Sequence, residues 1–528
     1  MDIDTIIIGN GPSAMILSYI LHGHLPYYSS QHPHPDPLLH AKLQGSPALL
    51  GADVDALTEH FAASRLSYST QALPVNVLLD TLVRPSIDVE ELQSITNVEW
   101  RYEPEKALSH RVLGNAPRPG GQWTENRMPA SWEIQTLSYA SMLSLPGYSF
   151  ADHHQKMTGK ELPAYTRPSR QETADYFQAY PEAVRIDDAF RSNENVWGIT
   201  RLKDGFFLRS HNLRCKRLVL ASGIFSEVLQ PRPLLRPLTS FEPAPETPLL
   251  VIGSGFSAAD VIISAPGHQK IIHVFKWDPD NRPSPLRGCH QHAYPEYAGV
   301  YRLMRRAAVT ANPSAKRVKP LRTTSSPFLE SRSWADVYEG FPNTAIIDVQ
   351  AQEELAIVTF RRPDGTTFTR PVRGMVYATG RRGTLDYLDQ SLAREVIGSG
   401  DTELNTTISG QTLRGKAIES AEVAKDIFII GSLTGDSLIR FAYGSCVQAA
   451  GKLINAVTGD HKTGGASTPV SKQEVCIGVM HGLDGHDIYP NNGRPGPYQN
   501  EHAVVSPEHV PLKGMWTWLM GIWRWSEL

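Results

Sequence analysis

Apolar and polar positions along this chain fall twice into the same order. IIIGNGPSAMILSYIL (residues 6–21) begins with a β-branched apolar run, turns through glycines and continues with apolar residues at helical spacing. That order predicts strand, tight turn, helix. LLVIGSGFSAADVIIS (249–264) repeats it, and KIIHVFKW (270–277) predicts a second parallel strand beyond. Two βαβ units are therefore expected. Between them, LQPRPLLRPLTSFEPAPETP (229–248) holds six prolines, which excludes a central strand or a helix interior and predicts a connector. Two later apolar runs, MVYATG (375–380) and DIFIIGSLTGD (426–436), are expected to return the chain to the first domain, making the second an insertion. Beyond about Thr458 the chain turns rich in Gly, Pro, Asn and His, a pattern of surface loops.

At 528 residues the chain is long enough for two or three domains. Hydrophobic residues at 41% and charged residues at 20% place it among ordinary globular proteins. A formal net charge of −3 gives no electrostatic case for a nucleic-acid partner. Cys215, Cys289, Cys446 and Cys476 form no C-x-x-C pair and no zinc pattern, so neither a redox dithiol nor a metal site is expected. Asp2 and Asp4 stand where a secretion signal would be basic, and no run reaches the ~18 apolar residues of a membrane span. A cytoplasmic location with reduced thiols is the resulting expectation.

The chemistry lies in the glycines. Gly9, Gly11 and Ala14 form G-x-G-x-x-A between strand and helix, with Ser13 in the first helical turn. In such a motif the first glycine permits the turn, the second lets the backbone approach a pyrophosphate, and the small third residue lets helix pack on strand. Gly253, Gly255 and Ala258 repeat the motif, and Ser257 adds a hydroxyl at the helix start, where N–H groups would hold phosphate. A strand, turn and helix that merely pack together is the alternative at each loop. The acidic ribose partner expected about 20 residues after the first loop is not evident, and only Asp36 is on offer. After the second loop, Lys276, Arg282 and Arg287 could meet a 2′-phosphate, while Asp278 would favour the dinucleotide that lacks one.

These segments, together with PGGQW (119–123), LPGYSFAD (145–152), RPSRQETADYFQAY (167–180), LVLASG (218–223) and GSLTGDS (431–437), occur in an order that resembles the oxidative stress-induced growth inhibitor family. That family is similar to the class B flavoprotein monooxygenases, and the match spans roughly residues 1–460. The resemblance implies an α/β fold of two Rossmann-like domains, the NADPH domain (236–374) inserted into an FAD domain (1–235 and 375–460), with a C-terminal extension (461–528). It implies FAD at Gly9, Gly11, Ser13 and Ala14, with Gly121 and Trp123 beside the flavin. It also implies NADPH at Gly253, Gly255, Ser257 and Ala258, with Lys276 and Arg282 toward the 2′-phosphate. Gly435 and Asp436 resemble a late flavin-site motif, and Ala378, Thr379 and Gly380 an A-T-G segment joining the domains. Trp123 could instead be a packed loop residue, and Asp436 an ordinary helix cap.

The implied reaction is NADPH-dependent insertion of one oxygen atom of O2 into a small-molecule substrate through a flavin C4a-hydroperoxide, with heteroatom oxidation favoured. No F-x-G-x-x-x-H-x-x-x-W/Y segment precedes the second loop, which weakens Baeyer–Villiger and ordinary flavin-containing monooxygenase readings. An FAD/NADPH oxidase or reductase, and a regulatory protein that binds nucleotide without turnover, are the alternatives. No catalytic base is assigned. Of the early histidines His22, His24, His32, His34 and His40, the latter three lie among prolines without helical i, i+4 ligand spacing, so no metal site is expected. His290 and His292 read as a solvated loop, with a place near the nicotinamide pocket as the alternative. The C-terminal Trp516, Trp518, Trp523 and Trp525 favour packing on the body or on a partner subunit in a homo-oligomer, with peripheral membrane contact as the alternative.

Overall fold

The computed structural model describes residues 3–66, 68–85, 95–125, 128–311, 326–398 and 404–460. The tryptophan-rich end and the rest of the 461–528 extension lie outside the described residues.

The opening strand Ile3–Ile8 is flanked in parallel by His110–Leu113 on one side and Leu213–Leu220 on the other. The sheet continues to Phe190–Arg191 beyond the first and to Ile427–Ile429 and Glu422–Ala424 beyond the second. The helices Pro12–Leu21 and Ala442–Asp460 pack against each other over it. Ile6, Ile7, Met15, Leu17, Val219 and Leu453 are fully buried there. Residues 6–8, 218–220 and 427–429 are buried at every position, so these stretches read as continuous apolar runs and not as alternating ones.

The second sheet runs Tyr338–Pro342, Ile271–Phe275, Leu249–Ile252, Met375–Tyr377, with every pairing parallel. Val251 and Ile271 face the helices Phe256–Ser264 and Pro295–Thr310. Leu250 and Ile272 face an antiparallel sheet formed by Ala345–Ala351, Ala356–Arg361 and Thr367–Val372. Its strands all lie, in sequence, between Leu213–Leu220 and Ile427–Ile429 of the first sheet. The connector contains the 3-10 helix Pro233–Ser240, whose Leu235 and Leu238 are buried against this second unit.

One expectation is corrected here. MVYATG does not return to the first domain: Met375, Val376 and Tyr377 pair in register with Leu250, Val251 and Ile252. An apolar strand flanked by other chain is drawn to whichever sheet edge is adjacent, and the edge beside Leu249–Ile252 was open. After Gly380, Arg381–Thr384 pairs with Glu227–Val228 in a separate three-stranded sheet.

Candidate functional site

The two glycine loops are built alike. Gly9 has φ +114 and Gly253 φ +148. A β-carbon on Gly9 would lie 2.4 Å from the Ala221 carbonyl oxygen, and one on Gly253 would lie 2.3 Å from that of Ala378. Each first glycine is thus required by the turn and by the neighbouring strand end. Ala14 and Ala258 are buried between helix and strand.

The second glycines differ. Gly11 has φ −82 and Gly255 φ −103, ordinary extended conformations that any residue can adopt. Around a β-carbon on Gly11 nothing lies within 4 Å, and on Gly255 only a Pro285 carbon at 4.0 Å. Neither strain nor packing requires glycine at either place. Both residues are helix N-caps with no side-chain hydrogen bond to the first turn, leaving helix N–H groups for an anion.

Each loop opens on its own cavity. The first, ≈ 430 Å³, is lined by Gly9, Gly11, Ser13, Gly121 and Trp123. The second, ≈ 930 Å³, is lined by Gly253, Gly255, Ser257, Lys276, Arg282 and Gly380. Gln122, Phe225 and Arg381 line both. The cavities therefore adjoin, and their junction is marked by a residue of the GGQW loop. Thr379 Oγ1, buried in the wall of the second cavity, has no hydrogen-bond partner, as expected of a polar atom whose partner is a ligand. Arg287 instead donates to the Pro279 carbonyl, and His290 and His292 are exposed.

Under the second loop, His273 Nε2 donates to the Gly253 carbonyl at 2.7 Å, and its Nδ1 accepts from Tyr338 Oη at 2.8 Å. Burial pushes His273 down to about 4, so the ring is neutral at pH 7 and fixed in one tautomer. No local sequence signal marked this residue.

The missing ribose partner has a topological cause. Asp36 is buried as the N-cap of Pro37–Gln44 and is bonded to His60 and Tyr68, so it is engaged in structure. The strand after the first helix, His24–Tyr28, pairs with Val98–Tyr102 in a separate two-stranded sheet. The place beside the opening strand belongs to His110–Leu113, and Asn115 just beyond it lines the first cavity. Glu194 and Trp197, which follow Phe190–Arg191, line it too. Asn10, between the glycines, donates to the carbonyls of Ala116 and Arg118 and so ties the loop to that strand end.

In the late motif, Asp436 has partners within the fold. The Asp436 carboxylate accepts from Leu73 N at 2.8 Å and from Asn76 Nδ2 at 2.6 Å, and pairs with Arg414 at 2.9 Å. It is buried at the start of helix Pro74–Val83, Gly435 is packed against Arg414, and neither residue lines either of these two cavities. Within GSLTGDS it is Ser432 that faces the first cavity, and its hydroxyl accepts from Ile224 N.

Among the described residues no helix is long and apolar enough to cross a membrane, and no cluster of three or more His, Cys, Asp and Glu could hold a metal ion.

No family model matches the chain. It is 26% identical over 496 residues to oxidative stress-induced growth inhibitor 1 of Mus musculus, covering 86% of this chain and 95% of that one. Solved structures similar to it include a flavin-containing monooxygenase from Stenotrophomonas maltophilia, at 14% identity and TM-score 0.45, covering 87% of this chain and 100% of that one. Another is the bacillithiol disulfide reductase of Staphylococcus aureus, at 11% identity and TM-score 0.46, covering 88% and 100%. Along most of its length the chain is similar to the oxidative stress-induced growth inhibitors, the relation that the ordered motifs implied.

Proposed function

We propose that the chain is an FAD- and NADPH-dependent monooxygenase acting on a small molecule, with NADPH bound by a domain inserted into the FAD domain. The observation that carries this reading is the pair Gly11 and Gly255. Each is a glycine that the fold itself does not need, at an uncapped helix start, in the wall of one of two cavities that adjoin. A dinucleotide pyrophosphate at each loop accounts for both. Bound flavin would supply hydride acceptance and reaction with O2; the chain's own residues bind, orient and enclose.

In this reading the N–H groups after Gly11 hold the FAD pyrophosphate, Ser432 and Trp123 border the flavin end, and Gln122, Phe225 and Arg381 frame the meeting point. Asn115 and Glu194 stand toward the adenosine, across the opening strand from the junction. Lys276 and Arg282 stand where a 2′-phosphate would be met. The carboxylate of Asp436 serves helix Pro74–Val83, so its part is to position the loop that carries Ser432.

Oxygen insertion is preferred to disulfide reduction because the described cysteines are unsuited to electron transfer. Cys215, Cys289 and Cys446 are free, buried and absent from both cavity walls, and burial raises all three thiols. Buried free thiols also fit the cytoplasmic placement.

The test is to purify the full chain and measure bound FAD, then NADPH and O2 consumption against panels of amines, thiols and ketones. A substrate that gains one oxygen atom per NADPH supports the reading. Consumption that always ends in stoichiometric H2O2 makes the protein an oxidase, and FAD-bound protein without turnover makes it a binding protein.

A further inference from the structure

The helix that starts at Gly255 carries a carboxyl that the glycine-loop reading does not use. Asp260, one turn in, is half-buried and lines the second cavity. Tyr297 Oη donates to its Oδ1 at 2.8 Å. An acidic group is unexpected in a pocket for an anionic dinucleotide, since a carboxylate near phosphate is repelled.

Its position along the cavity resolves the conflict. Lys276, Asp278 and Arg282 lie beyond the strand Ile271–Phe275, on one side of Leu249–Ile252. On the other side are Met375–Tyr377 and then Arg381, which lines both cavities and is one of the charges acting on Asp260. A dinucleotide with its pyrophosphate at Gly255 and its 2′-phosphate toward Lys276 would direct its nicotinamide to the Arg381 side. Asp260 thus belongs to the nicotinamide end.

That ring is neutral when reduced and cationic when oxidised. We propose that Asp260 is a positioning residue for the nicotinamide end, its carboxylate favouring the oxidised, cationic ring over the reduced, neutral one. The proposal rests on the second cavity being the NADPH site. The charged and titratable groups that act on the carboxyl include Tyr297 and Glu296 from Pro295–Thr310, Arg170 from Arg170–Ala183, and Arg381 from Arg381–Thr384. Burial pushes Asp260 up to about 6 against the opposing pull of Tyr297, Arg170 and Arg381. The carboxyl is therefore mostly protonated at pH 5 and mostly ionised at pH 7. The preference for the cationic ring switches on between them, and oxidised cofactor is held at neutral pH.

The experiment is an equilibrium titration of the FAD-loaded protein with NADP+ and with the redox-inert, neutral-ring 1,4,5,6-tetrahydro analogue of NADPH. The readout is the ratio of the analogue's Kd to that of NADP+. The 2′-phosphate titrates in both probes and cancels in this ratio. The ratio should rise about ten-fold from pH 5 to pH 7, within the range of ordinary site-to-site coupling, and stay flat in Asp260→Asn. A flat ratio in the wild type overturns the proposal, and does so even if the variant fails to fold. A pH-dependent ratio that survives in Asp260→Asn also overturns it, by placing the titrating group elsewhere. Failure of both probes to bind removes the NADPH reading itself, and the proposal falls with it.

Discussion

Gly121 rests directly on Gly11: a β-carbon on Gly121 would come within 3.2 Å of the Gly11 Cα. The GGQW loop therefore packs closely against the first glycine loop. Gly121 also has φ +58, so it answers both to conformation and to contact, whereas Gly11 answers to neither.

Substitutions at the two positions should separate accordingly. Gly11→Val should leave the apo fold within about 1 kcal/mol of wild type and abolish FAD binding, because its side chain fills the cavity. Gly121→Ala should destabilise the protein by about 1–3 kcal/mol through a strained backbone and weaken FAD binding as well. Denaturant midpoints and FAD titration on the same preparations distinguish the two patterns. A Gly11→Val protein that still binds FAD would contradict the assignment of the first cavity.

Lys276 and Arg282 border the second cavity, with Asp278 between them in sequence. A charge-assisted phosphate contact contributes about 1.5–3 kcal/mol. Replacing the cation that makes it by alanine should raise the NADPH KM ten-fold or more and leave that for NADH unchanged. Equal use of both cofactors by the wild type, or no effect from either variant, would favour the reading in which Asp278 selects NADH.

Much of this was legible in the sequence because it is local. A glycine loop with the strand before it and the helix after it lies within sixteen residues, and both strand–turn–helix units form where the apolar pattern predicts them. The errors came from long-range pairing. Nothing near MVYATG says that Leu249–Ile252 has an open edge. Nothing near Pro37 says that the strand beside Ile3–Ile8 arrives only at His110. The partners of Asp436, namely Leu73, Asn76 and Arg414, are scattered in sequence, so its bonds within the fold were not legible from an acid that follows a glycine.

Asp436 offers a direct test of whether its carboxylate serves the fold or the flavin. Asp436→Ala removes the buried partner of Arg414 and the acceptor at the start of Pro74–Val83. Breaking a buried pair costs about 3–5 kcal/mol. The variant should show a large fall in Tm, while any fraction that stays folded at low temperature binds FAD close to normally. A loss of FAD affinity without loss of Tm would place Asp436 in the flavin site.

His273 and His110 are both held near 4 by burial, below the ordinary value of 6.5. Between pH 6.5 and 4 the unfolded chain binds protons at these sites that the folded chain refuses, so stability falls as pH falls through that window and levels off below it. Each site contributes at most about 3 kcal/mol. His273→Asn should lower stability at pH 7 and flatten its decline towards pH 4, as read from urea midpoints. An equally steep decline in the variant would show that His273 is not among the groups responsible.

The central claim is that two dinucleotides meet at the junction marked by Gln122, Phe225 and Arg381, and anaerobic mixing of the FAD-loaded protein with NADPH tests it most directly. The account predicts that the flavin is bleached in the wild type, and that Gly255→Val keeps its FAD but is bleached at least ten-fold more slowly, because only the second cavity is blocked. A wild type that carries no FAD, or whose flavin NADPH does not reduce, would contradict it.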